Sequence, residues 1–150
     1  MRARDEGLTI LELLIVAAII GVMAGLVVMS GRPVVRGQEA ASAVRTVQQS
    51  VWQGATMAAS RGVSTELALS GGSLVVRRLD NGQEVRRFEL PDETSLNVED
   101  GPLLVFTPPG KVDEATLPDA DDPLKLTVRD RTYTLEISLI GEVRALEGEP

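Results

Sequence analysis

The side chains able to do chemistry set the first limits. The 150-residue chain contains no histidine and no cysteine. The commonest general base, the commonest metal ligand and all thiolate or disulfide chemistry are therefore missing. Carboxylates, hydroxyls, thirteen arginines and two lysines remain. The densest acidic group is Asp113-Glu114 with Asp119, Asp121 and Asp122, the last three bracketed by Pro118 and Pro123. Calcium takes several carboxylate oxygens, but the spacing here is not that of a calcium loop. The segment 113–122 reads as a solvated connection, and no metal and no cofactor is expected. Arg77-Arg78 and Arg86-Arg87 flank one expected hairpin, where basic residues guard a strand edge. A formal net charge of -7 argues against a polyanion as partner. No catalytic motif organises these groups, and the chain is not expected to be an enzyme.

One carboxylate stands apart. Glu12 lies one turn inside an apolar run from Leu8 to Met29, and the residues from Leu13 to Met29 carry no charge. A helix of that length spans about 30 Å, the thickness of a bilayer's hydrocarbon. An acidic side chain there costs around 2.5–3.5 kcal/mol at the membrane centre, and less near the interface. Three plain readings compete. A cleaved secretory signal has an apolar region of about 7–15 residues, shorter than this one. An ordinary single-span anchor leaves Glu12 incidental. A Thr9-x-x-Glu12 capping box starts a helix but explains neither Gly7 nor the short leader with Arg2 and Arg4.

The stretch Gly7-Leu8-Thr9-Ile10-Leu11-Glu12-Leu13-Leu14-Ile15-Val16-Ala17-Ala18-Ile19-Ile20-Gly21 resembles the class III signal of type IV pilins and type II secretion pseudopilins. The resemblance implies cleavage by a membrane prepilin peptidase between Gly7 and Leu8, followed by N-methylation at Leu8. It makes Thr9 and Glu12 assembly residues, with the amine freed on Leu8 as the cation that partners Glu12. It departs from the family at Leu8, where phenylalanine is usual, and in the acidic Asp5 and Glu6 of the leader. Ala17, Gly21 and Gly25 recur every four residues, a row that lets helices approach closely in lipid. The implied partners are other pilins or pseudopilins in a filament, the prepilin peptidase, an inner-membrane assembly platform and membrane lipid. The implied location is the inner (plasma) membrane, single-pass, with the head outside the cytoplasm.

These residues need elements to hold them. Gly31-Arg32-Pro33 follows the apolar run, and Pro33 is expected to kink the helix or open a new one. From Gln38 to Arg61 the apolar positions Val44, Val47, Val51, Ala55 and Ala58 return at helical spacing. Trp52, at the edge of this stripe, is expected to anchor the helix against a sheet. Gly62 is expected to stop it. Strands are expected at 66–70, 74–79, 85–90, 95–98, 103–107, 124–129, 132–139 and 142–146. Asn81-Gly82 marks a hairpin, and Leu124-x-Leu126-x-Val128 alternates as a half-buried strand does.

The expected class is α+β: a long N-terminal helix, transmembrane in its first half, packed on an antiparallel β head. The organisation is a leader (1–7), an assembly helix (8–30), the second half of the helix (31–62) and the head (63–150). Phe106-Thr107-Pro108-Pro109-Gly110 resembles the Phe-x-Pro-x-Gly turn of H-type minor pseudopilins. Tyr133 to Ile137 and Gly141-Glu142-Val143-Arg144 resemble their final strands. This subgroup implies a minor subunit of a type II secretion pseudopilus or type IV pilus. Some members of the H-like group bind DNA through a basic C-terminal region, which makes DNA uptake the alternative. Here that region, 142–150, holds one arginine among three glutamates, so nucleic acid is not an expected partner.

Overall fold

The computed structural model describes residues 9–148, apart from the side chains of residues 26–36. Its first element, α1, spans Ile10–Arg61. Thr9 starts it: the Thr9 hydroxyl accepts from the Glu12 backbone N–H at 3.2 Å, satisfying one of the free donors of the first turn. Gly62 ends it at φ +64°, where the absence of a Cβ removes the penalty, and its N–H closes back on the Ala58 carbonyl at 3.1 Å. The helical backbone is assigned without interruption across Pro33, neither ending there nor restarting. The chain divides into two compact units, one up to Gln38 and one from Glu39 onward.

Among the described residues of the second unit, nine short strands follow the helix. They are β1 (Thr65–Ser70), β2 (Ser73–Arg78), β3 (Glu84–Glu89), β4 (Thr94–Leu96), β5 (Gly101–Thr107), β6 (Lys111–Val112), β7 (Leu124–Val128), β8 (Arg131–Ile137) and β9 (Val143–Glu147). A 3-10 turn, Glu114–Thr116, lies between β6 and β7. The strands form two antiparallel sheets, in the orders β3-β2-β1-β5-β6 and β4-β7-β8-β9. The class is α+β with antiparallel sheets. The expected strands appear within a few residues of their bounds; β6 was not expected, being too short for an alternation to register. The partition into two sheets is also new, since alternation reports a buried face but not the neighbouring strand.

One apolar core joins both sheets to the helix. Ala40, Ala43, Val47, Val51 and Ala58 of α1 pack with Leu67, Leu74, Val76, Leu104 and Phe106 of the first sheet. Leu124, Leu126, Val128, Leu135 and Val143 of the second belong to the same cluster. Phe106 is fully buried and lies against Gly54 of the helix. A Cβ at Gly54 would sit 2.7 Å from the Phe106 Cδ2, so only glycine lets helix and ring come this close. Thr65 donates its hydroxyl proton to the Gly54 carbonyl at 2.9 Å, fixing β1 to the same spot.

Trp52 does not anchor this core; it is 65% exposed. The buried positions 40, 43, 47, 51, 54 and 58 step by three or four along one face. Position 52 lies about 100° around the helix from Val51 and falls outside it. Phe106 is the aromatic side chain that fills the seat expected for Trp52.

Candidate functional site

The chemistry singled out in the sequence lies at the start of α1. Gly7 and Leu8, the expected processing site, lie outside the described residues. Thr9 and Glu12 are described. The Thr9 hydroxyl and the Glu12 amide form one half of a capping box. The Glu12 carboxylate stands in the first turn, where the helix's unpaired N–H groups favour negative charge. Among the described residues no ion pair involves Glu12.

The apolar residues beyond Glu12 are exposed on every side of the helix. Ile10 is 85% exposed, and Leu13, Leu14, Ile19, Ile20, Val22 and Met23 are each more than half exposed. Water penalises such a surface at about 25 cal/mol per Å² of apolar area. A helix apolar all round calls for an apolar surrounding. Ala17, Gly21 and Gly25 lie along one row, and a Cβ added at either glycine would meet nothing within 4 Å. Among the described residues no contact explains these two glycines, in contrast to Gly54. Among the described residues no helix is long and apolar enough to cross a membrane. The described side chains of the apolar run end at Gly25, and the rest of the expected span to Met29 lies outside them.

The other groups singled out in the sequence are engaged locally. Arg77 donates from Nε to Glu66 at 2.7 Å, Arg78 is paired with Asp80, and Arg87 with Glu84 at 2.8 Å. The Arg86 guanidinium lies 5.2 Å from the centre of the Phe88 ring. Three of the four arginines of this strip thus already face a carboxylate. Asp113 caps the 3-10 turn by accepting from the Ala115 N–H at 3.1 Å. Among the described residues no three acidic side chains converge on a point that would hold a metal ion. On β8, Arg131 is held above its ordinary pKa by a hydrogen bond with Tyr133 and by the charge of Glu147. That keeps it a cation and gives no proton donor or acceptor near neutrality.

Two features were not found from the sequence. Gly54 carried a usable signal, since a glycine inside a helical pattern points to a close approach of backbones. Its partner explains the Phe106-to-Gly110 motif. Phe106 covers Gly54, and Gly110, at φ +99°, lies so near the helix that a Cβ would stand 2.7 Å from the Ala55 carbonyl oxygen. The second feature is an ion-pair group of Glu39, Glu93 and Arg129, from three separate segments. No spacing in the sequence announces it. Comparison with family models, with curated proteins and with solved structures gives no match in any of the three.

Proposed function

We propose that the chain is a minor pilin or pseudopilin, a structural subunit of a type II secretion pseudopilus or type IV pilus, with a pilin-like fold. The observation that carries this reading is Glu12: one carboxylate in the first turn of α1, whose stretch Ile10–Gly25 is otherwise apolar on all sides and exposed. Such a surface is stable in lipid before assembly and against other apolar helices afterwards. The subunit is stored in the inner membrane with its head outside the cytoplasm. Prepilin peptidase cuts between Gly7 and Leu8, and the new amine on Leu8 is methylated.

Glu12 then supplies the docking register. A carboxylate in apolar surroundings is costly until it meets a cation, so a subunit slides until Glu12 reaches the terminal amine of a neighbour. Ala17, Gly21 and Gly25 allow the helices to close on one another along the same row. The work of extrusion belongs to the assembly platform and not to this chain. The paired arginines of the β2–β3 hairpin favour the structural role over DNA capture.

Mass spectrometry of the protein from purified filaments tests the reading. The expected species begins with N-methylated Leu8. An intact leader from Met1 to Gly7 in assembled filaments overturns the processing step. Glu12→Gln is expected to leave cleavage intact while removing the subunit from filaments; normal incorporation of that variant overturns the docking role.

A further inference from the structure

A groove of about 290 Å³ opens where strands of the two sheets come together. Pro102 and Leu103 of β5 line it, together with Leu117, Pro118 and Pro123 on the way to β7. Its floor is part of the core: Leu104 and Leu124 are buried, and Leu103 and Leu117 pack against the same cluster. The lining segments are tied to the sheets. Asn97 donates from Nδ2 to the Pro123 carbonyl at 3.2 Å, and its Oδ1 accepts from the Lys125 N–H at 2.6 Å. The Thr116 hydroxyl accepts from the Val105 N–H at 3.0 Å and donates to the Asp113 carbonyl at 2.9 Å. The groove therefore exists before anything enters it, as binding sites lined by apolar side chains usually do.

The charged side chains of the lining all carry one sign. Glu99, Asp119 and Asp122 line the groove, and no lysine or arginine does. Among the described residues no ion pair uses any of the three, whereas Glu66, Asp80 and Glu84 are each matched by an arginine. Nor do three acidic side chains converge among the described residues as a metal site would require. Leucines and prolines beside unpaired carboxylates suit a cation that brings its own apolar stem, as arginine and lysine side chains do. A guanidinium adds paired N–H donors that match a carboxylate. A second copy of the chain is a poor source of that cation. Its formal net charge is -7, so copies repel, and Arg77, Arg78, Arg87, Arg129, Arg131 and Arg144 already face carboxylates of their own.

We propose that this groove is a docking site for a basic segment of a different protein. The segment lays the stem of an arginine or lysine on the leucines and prolines and sets its charge against Glu99, Asp119 and Asp122. The site belongs to the head and does not depend on filament assembly.

The probe is a Leu-Arg-Leu-Arg peptide, blocked at both ends and added to the isotope-labelled full-length protein in non-ionic detergent micelles. NMR is expected to show saturable shifts of the backbone signals of 97–104 and 116–124, the segments that form the groove, and none with a Leu-Glu-Leu-Glu peptide of the same design. Asp119→Asn combined with Asp122→Asn changes exposed loop positions and is expected to weaken binding about tenfold, as for two partly screened ion pairs. Asp130→Asn removes a charge outside the groove and is expected to leave the affinity within about twofold, since solvent screens it. Raising the salt from about 0.1 to 1 M is expected to weaken binding of the peptide to the parent protein. Absence of shifts at the groove, equal binding of the two peptides, unchanged binding by the double variant or an equal loss from Asp130→Asn overturns the proposal. Groove shifts that grow with protein concentration in the absence of peptide make a second copy the occupant and overturn it as well.

Discussion

Two stretches of one helix solve the problem of apolar side chains in opposite ways. In Glu39–Arg61 the helix residues of the shared core keep to one face and are small, alanine and valine, with Gly54 set against Phe106. In Ile10–Gly25 the apolar residues are mostly large, surround the helix and are exposed. The glycines mark the same contrast: Gly54 is required by a neighbour within the chain, while Gly21 and Gly25 have no such neighbour among the described residues. The first pattern is explained by folding alone. The second makes sense through a surrounding that the described residues do not provide, and this is what ties the proposed assembly role to the N-terminal stretch.

The contrast can be broken by substitution. The largest effect is expected for Phe106→Ala, which empties the seat over Gly54 and should lower head stability by about 3–5 kcal/mol in chemical denaturation. A loss below about 1 kcal/mol would show that helix and sheets are not held together there. Next, Gly54→Val is expected to cost about 1–3 kcal/mol through overpacking against the ring. Gly21→Val serves as its counterpart: thermal unfolding of the head should not move, because the added atoms meet nothing in the chain, whereas incorporation into filaments should fall. Equal damage to head stability from both glycine variants would erase the distinction between the two stretches. The smallest effect is expected at Trp52→Ala, within about 0.5 kcal/mol of the parent, as for an exposed side chain away from the core. A larger loss in the same denaturation assay would return Trp52 to the packing role that its exposure denies it.

Much of the head was legible in the sequence because its signals are local. Leu124-x-Leu126-x-Val128 alternates and became β7; Asn81-Gly82 turns between β2 and β3; Gly62 ends the helix. Thr9 could be read as a cap because cap and amide lie three residues apart. What was missed depends on distance in the chain. Trp52 and Phe106 are both aromatic, and only the rotation of α1 relative to β5 decides which is buried. Arg129 meets Glu39 across 90 positions, and no periodicity connects them. At the candidate site the opposite holds: Glu12 and the row of small residues are plain in the sequence, but among the described residues nothing pairs with them.

The single core shared by helix and sheets also determines where this protein can be cut. Leu67, Leu104 and Phe106 on one sheet and Leu126 and Leu135 on the other close against Ala43, Val47, Val51 and Ala58. A soluble fragment beginning at Val63, the sequence-derived start of the head, would leave both inner faces bare and is expected to aggregate. One beginning just before Glu39 carries its own lid, including the ion pair of Glu39 with Arg129. For expression, crystallisation or binding assays, the working unit is therefore the two sheets together with the last six turns of the helix.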